Sequence, residues 1–399
     1  MNSPRRLLVP GFRAAGVAAG IKKSGLDVAL IVSDVPASVA GVFTRSTVVG
    51  APVEISRQKV KRGRGRAIAV NAGVSNVAMG ARGLRDARAM AALAARAVGC
   101  AESEVFVAST GVIGHPLPMD KIERGIAAAA KALRPDGLDA ASRAIMTTDL
   151  VAKTAVARAK IDGRDVTLAG IAKGSGMIEP NMATMLSFLV TDAAIAPPLL
   201  RRMLKGAADE SFNRVTVDGE SSTSDTVLLL ANGVAGHPPL RDGAGAGARR
   251  YAAALAEVSQ ELARAIARDG EGATKLVTVK VSGAKSADDA TRAAKRIANS
   301  MLVKTALFGG DPNWGRILQT IGAGRVAIRL DRAVVTLAGV VVFRAGAPTG
   351  VAARERAAGA MRAKEVEVAL DLGAGRHAAT VWTCDLSYDY VRINAEYTT

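Results

Sequence analysis

Short apolar runs alternate with Ala-rich amphipathic stretches along this chain, and that alternation restricts it to a mixed α/β fold rather than a helical bundle. Val28 to Val32 and Ile68 to Val70 read as buried strands, each ending in a polar or Gly-rich turn. Val105 to Ala108 predicts a third strand that runs into Ser109, Thr110 and Gly111. Leu84 to Val98 places Leu84, Ala87, Met90, Ala91 and Ala94 on one helical face, and Gly99 stands where a helix C-terminus favours glycine. Met119 to Leu133 predicts a second helix, preceded by Pro118 and with Asp120 near its start. Aromatic residues are only 3% of the chain, so Ala, Val, Leu and Ile must do the packing.

Ala235 to Ala248, AGHPPLRDGAGAGA, reads as a linker or exposed loop. A long helix follows, striped with Tyr251, Leu255, Val258, Leu262 and Ile266, and Gly270 comes after it. Leu276 to Val281 alternates as a half-buried strand. Ser286 is an expected N-cap, with Asp288 and Asp289 in the first turn behind it. Val326 to Leu330 and Val334 to Phe343 predict neighbouring strands. Val366, Val368, Leu370 and Leu372 alternate, Gly373 to Arg376 turn the chain, and Ala378 to Trp382 is expected to return beside them.

The 399 residues favour two or three domains. Lys and Arg number 53 against 36 Asp and Glu, a net charge of +17, which raises nucleic acid or acidic small molecules as partners. Nucleic acid would want a clustered basic stripe with interleaved aromatics; here KRGRGR at Lys61 is the one compact basic run, and it reads as surface. Cys100 and Cys384 are too few for a disulfide framework, and neither has an evident base partner. His115, His237 and His377 are scattered and read as loop or surface residues, so a His-centred triad or a metal site is poorly supplied. No apolar run reaches the roughly 20 residues a membrane helix needs. Pro10, Gly11 and Arg13 interrupt the N-terminal stretch, so no signal peptide is expected, and a reduced, cytoplasmic setting is the default.

The densest unusual stretch is Lys173 to Asp192, KGSGMIEPNMATMLSFLVTD. Gly174 and Gly176 could let backbone approach a ligand, but their spacing fits neither the dinucleotide nor the Walker pattern. Thr184 stands where this loop meets a strand-like run; by itself it is one β-branched residue at a strand start.

Several marks together go further: GVFTRS at Gly41, ASTGVIG at Ala108, MTTD at Met146 and AKGSGMIEPNMATML at Ala172. VDGESSTSD at Val217, DGEGATK at Asp269, GGDPNWGRI at Gly309 and VRINAEYTT at the C-terminus continue the series. In order and number they closely resemble the glutamate N-acetyltransferase / ornithine acetyltransferase family of arginine biosynthesis, over the whole chain. The resemblance implies an N-terminal-nucleophile-like α/β architecture, with mixed sheets layered with helices. It also implies self-cleavage between Ala183 and Thr184, into an α chain of residues 1–183 and a β chain of residues 184–399, the latter including a smaller C-terminal α/β part from about 275. Thr184 then becomes an N-terminal nucleophile whose own amine, with a pKa near 7.7–8.0, can take the hydroxyl proton without any histidine.

The implied reaction moves acetyl from N2-acetylornithine to glutamate through an acetyl-Thr184 ester, with ping-pong kinetics. By resemblance Thr110 and Gly111 supply the oxyanion donors. Thr147, Lys173, Glu271, Asn394 and Thr399 match the family's substrate-contacting positions, with Thr148 a near rival of Thr147 because one residue of register decides between them. No metal or cofactor is implied, although some members also use acetyl-CoA as a donor, and the implied assembly is two α and two β chains. The alternative is a related N-terminal-nucleophile aminopeptidase or amidase, in which water takes the acyl group. Two departures stand out. VNAGVSNVAMG at Val70 is less polar than the family's Asn-rich loop, which puts a substrate role for residues 71–80 in question, and Gly310 stands where many members carry a charge. The GGDPNWG segment and the Ser221 to Asp225 cluster read first as structural.

Overall fold

The computed structural model describes residues 7–179 and 185–396, which fall into two units. The first takes residues up to 213 together with 221–262; the second takes 214–220 and the chain from 263 onward.

The first unit is built on an eight-stranded sheet among the described residues. Its strands are β1 (Phe12–Val17), β2 (Val28–Phe43), β3 (Arg64–Val74), β4 (Val105–Val112), β5 (Lys153–Ile161), β6 (Arg164–Lys173), β7 (Leu186–Thr191) and β8 (Thr226–Ala231). The order is β4-β3-β2-β8-β7-β6-β5, with β1 also on β2. β3 pairs parallel with β4 and β7 with β8; the other pairs are antiparallel.

The central strands are buried on both faces, which is why they read as unbroken apolar runs. Leu30, Ala69 and Val107 face the helices Gly80–Val98 and Met119–Lys131, which pack Ala87, Met90, Ala91, Ala94, Ile122 and Ile126 against them. Ile31, Ile68 and Phe106 face the other way, into a second core layer that also takes in Leu138 and Ala141 of helix Leu138–Ala144. Met90 is fully buried, so truncating it to Ala costs about 2–5 kcal/mol. Gly99 ends its helix in the left-handed conformation, at φ 70°, as the sequence predicts.

The second unit carries a six-stranded sheet: β9 (Leu276–Ala284), β10 (Val334–Leu337), β11 (Val340–Arg344), β12 (Ala347–Pro348), β13 (Glu365–Asp371) and β14 (His377–Cys384), in the order β12-β11-β10-β13-β9-β14. Ser286 caps helix Ala287–Asn299 by accepting from Asp289 N–H. Val334 to Phe343, expected as a single strand beside Val326 to Leu330, is instead a hairpin of β10 and β11, turning on Ala338 and Gly339, both at positive φ.

Three more expectations need correction. Residues 377–384 do not return beside β13: β14 pairs with β9, which lies between them. The Gly373 to Arg376 turn docks on the end of β9, where Ala374 N–H donates to the Gly283 carbonyl, and so carries the chain across it. Val326 to Leu330 forms no strand, because the Arg329 carbonyl accepts from both Arg332 and Ala333 N–H and folds the backbone into a turn.

Ala235 to Ala248 is an exposed loop only in its middle. His237 is buried, its Nε2 accepting from Ala194 N–H at 3.0 Å and its Nδ1 lying 2.8 Å from the Pro238 carbonyl. Leu240 bonds to Ala194 and Ala196, and the helix Ala246–Arg268 has begun before the stretch ends. No helix among the described residues is long and apolar enough to cross a membrane.

Candidate active site

Thr110 and Gly111 stand near the end of β4, where parallel pairing puts them opposite Ala72 and Gly73. Gly111 has φ +129°, and a Cβ there would sit 2.3 Å from the Gly73 carbonyl carbon, so the position takes glycine alone. Asn71 braces this end from β3: its Oδ1 accepts from the Ser109 hydroxyl at 2.6 Å and its Nδ2 donates to the Val74 carbonyl at 2.9 Å. Asn76 likewise donates to the Gly83 carbonyl. The two asparagines that remain in the altered 71–80 loop therefore act as braces.

Lys173 ends β6. Its ammonium donates to the Thr147 hydroxyl at 2.9 Å and lies 3.4 Å from the Thr110 hydroxyl. Of Thr147 and Thr148, it is Thr147 that meets the lysine. Beneath them Asp149 and Lys153 pair at 2.7 Å with both side chains fully buried. Asp149 also accepts from Gly174 N–H at 2.7 Å and Thr147 N–H at 3.1 Å. Burial alone would raise this carboxyl, but the ammonium groups of Lys173 and Lys153, with the bonds from Lys153 and Gly174, outweigh it and lower its pKa to about 2. Beside this cluster a cavity of about 670 Å³ is lined by Lys22, Arg143, Thr147, Asp149 and Leu150, among others. Lys22 donates to the Met146 carbonyl, and burial lowers its pKa.

Asp149 and Lys153 were not among the expected site residues. The signal was a Lys four residues after an Asp, opening a strand whose next inward positions are apolar. A charge on an inward strand position calls for a partner.

Ala183, Thr184 and Thr399 lie outside the described residues. The chain after Thr184 enters the sheet at Leu186, which pairs directly with Lys173. Met185 is buried; its carbonyl accepts from Thr226 N–H, and its own N–H bonds to the carboxylate of buried Asp225. Burial pushes the Asp225 carboxyl well above the usual range, against the pull of the Met185 N–H and the Ser222 hydroxyl. The 221–225 cluster is thus a hydrogen-bonded loop with a buried acid inside it.

In the second unit Asn394 donates to the carboxylate of largely buried Glu271 at 2.9 Å and to the Tyr390 carbonyl at 3.0 Å. The loop carrying Glu271 is tied down nearby: Asp385 accepts from Thr274 and Lys275, and the Ser387 hydroxyl donates to the Gly272 carbonyl at 2.6 Å. GGDPNWG is a helix junction. Gly310 closes Met301–Gly309 in the left-handed conformation and Asn313 caps Trp314–Ala323, which accounts for a glycine at 310. Burial pushes both cysteine thiols up, which leaves them poor nucleophiles.

Hydroxyl and ammonium donors that converge at the end of a fully packed α/β sheet define an enzyme's site. A model of the ArgJ family matches residues 13–399. The arginine biosynthesis bifunctional protein ArgJ of Geobacter sulfurreducens is 50% identical over 392 residues, 98% of this chain and 100% of the relative. That of Symbiobacterium thermophilum is 50% identical over 393 residues, 98% of this chain and 97% of the relative. The crystal structure of the protein of that name from Bacillus halodurans is 41% identical with a TM-score of 0.52, covering 54% of this chain and 100% of the solved one. The chain belongs to the ArgJ family and is an acyltransferase of arginine biosynthesis.

Proposed function

We propose that this chain moves the acetyl group of N2-acetylornithine to glutamate through an ester on Thr184, giving ornithine and N-acetylglutamate. The observation that carries the reading is the meeting of Lys173, Thr147 and Thr110, with the chain that follows Thr184 pairing against Lys173 at Leu186.

Maturation comes first. The Thr184 hydroxyl attacks the Ala183 carbonyl, the peptide C–N bond breaks, and water hydrolyses the resulting ester. A carboxylate is left on Ala183 and a free amine on Thr184. In turnover that amine takes the hydroxyl proton while the oxygen attacks the acetyl carbon. Thr110 and Gly111 hold the oxyanion; one such donor is worth roughly 3 kcal/mol in a dry site. The amide C–N bond then breaks and ornithine leaves with the proton. The neutral amine of glutamate attacks the ester and restores the hydroxyl.

Lys173 takes the α-carboxylate common to both substrates, with Thr147 beside it. Glu271 pairs with the ornithine side-chain ammonium, held by Asn394, and Thr399 completes the contacts. Acetyl-CoA is a further acetyl donor that this reading allows. The enzyme acts in the cytoplasm as two α and two β chains.

Mass spectrometry of the purified protein, with a Thr184→Ala variant, tests the reading. Fragments of residues 1–183 and 184–399, and an uncut, inactive variant, are expected. An uncut chain that still transfers acetyl groups overturns it, as does release of acetate with no glutamate product.

A further inference from the structure

We infer that the buried Asp149–Lys153 pair is a positioning device that sets the substrate-binding face formed by Thr147 and Lys173. The inference rests on the substrate roles proposed above for those two residues.

Asp149 is bonded on three sides. Lys153 Nζ stands 2.7 Å away, Gly174 N–H also at 2.7 Å, and Thr147 N–H at 3.1 Å. The two backbone bonds reach different parts of the chain. Thr147 belongs to the segment that enters β5, and Gly174 is the first residue out of β6 after Lys173. One carboxylate thus fixes the backbone at the residue bearing the hydroxyl and immediately beyond the residue bearing the ammonium. The β5–β6 ladder holds the platform from the other side, with Lys153 opposite Ala172. Loss of the carboxylate releases both segments together.

Fold stability does not by itself account for charge here. An apolar pair of similar volume generally holds a core as well as a buried ion pair or better, while one charge left alone is strongly destabilising. Geometry does account for it. A carboxylate accepts several N–H groups at once, which an apolar side chain cannot, and Lys153 balances its charge within the protein.

The test uses the full-length, self-cleaved protein with Asp149→Asn, Lys153→Met and the double variant. Each single change should lower Tm and activity. The double variant should regain Tm relative to either single change, because the fully buried Lys153 ammonium is no longer left without its carboxylate, while its kcat/KM for N2-acetylornithine stays down on the order of 10- to 100-fold. The loss should shrink for N-acetyl-1,4-diaminobutane, the same donor without the carboxylate that Lys173 takes. A double variant that regains both Tm and kcat/KM, or loses equally on both donors, overturns the inference.

If the double variant does not fold, Asp149→Glu keeps the charge and moves the acceptor; wild-type kcat/KM in that variant is equally fatal. Lys173→Met run in parallel separates the two levels. An unchanged KM for N2-acetylornithine in Lys173→Met removes the underlying reading. A penalty there with none in Asp149→Asn/Lys153→Met removes only the positioning role.

Discussion

In the first unit Thr110, Thr147 and Lys173 stand at or beside the ends of packed strands, over an ion pair sealed from solvent. In the second unit Glu271 sits in a loop and Asn394 on the helix Tyr388–Glu396, which has no buried residue. The first set is held by sheet register and burial. The second joins a largely buried Glu271, in a loop tied through Asp385 and Ser387, to an exposed Asn394 by one hydrogen bond. Strand ends in a closed core move together or not at all, whereas a surface helix can open by itself at low cost. Changes beneath the first set should therefore be severe and spread through it, and changes in the second mild and separate.

The severest expected case is Gly111→Ala. The new methyl would enter the Gly73 backbone, and φ +129° is closed to alanine. The β3–β4 pairing must give way just where the proposed oxyanion donors stand. A variant that still folds should lose roughly 100- to 1,000-fold in kcat. Near-normal turnover of the purified variant would break the claim that this strand end is rigid.

Acid gives the next largest effect. The Asp149 carboxyl titrates at about 2 in the folded protein against 3.8 as its ordinary value. Its folded pKa is depressed, so its stabilisation is complete above roughly pH 5 and is lost as pH falls through about 2. The difference amounts to about 2 kcal/mol. Urea unfolding at pH 5 and pH 2.5 should show wild type losing more stability over that interval than Asp149→Asn. Parallel curves would show that the pair does not hold its charge in the folded state.

What could be read from the chain follows the same division. The central stretches of β2, β3 and β4 (residues 28–32, 68–70 and 105–108) were legible because they are buried on both faces and run apolar, while the polar and exposed residues beyond them hid the strands' full lengths. Helix ends were legible at Gly99 and Ser286, where local chemistry decides. The pairing of β14 was not, because β9 comes between it and β13 from more than 80 residues earlier and leaves no mark on the alternation. His237 was hidden in a Pro- and Gly-rich stretch that reads as exposed, and its burial comes from a bond to Ala194. Of the site, Lys173 and Thr147 were legible through the resemblance, and their contact needed coordinates. Asp149 and Lys153 were missed because a lysine usually marks a solvated position, and only the fold puts this one inside.

The smallest expected effect sharpens the contrast from the other side. Asn394 is exposed, and what it offers Glu271 is one hydrogen bond, donated by its side-chain amide at 2.9 Å. Asn394→Ala leaves Glu271 with its loop still tied through Asp385 and Ser387. A single hydrogen bond to a charged group near solvent is worth about 1 kcal/mol, so KM for N2-acetylornithine should rise by about 3- to 10-fold with Tm nearly unchanged. Steady-state kinetics with glutamate saturating would check this. A loss as deep as that of Gly111→Ala would mean that the helix Tyr388–Glu396 is held as firmly as the strand ends, and that the two sets share one kind of support.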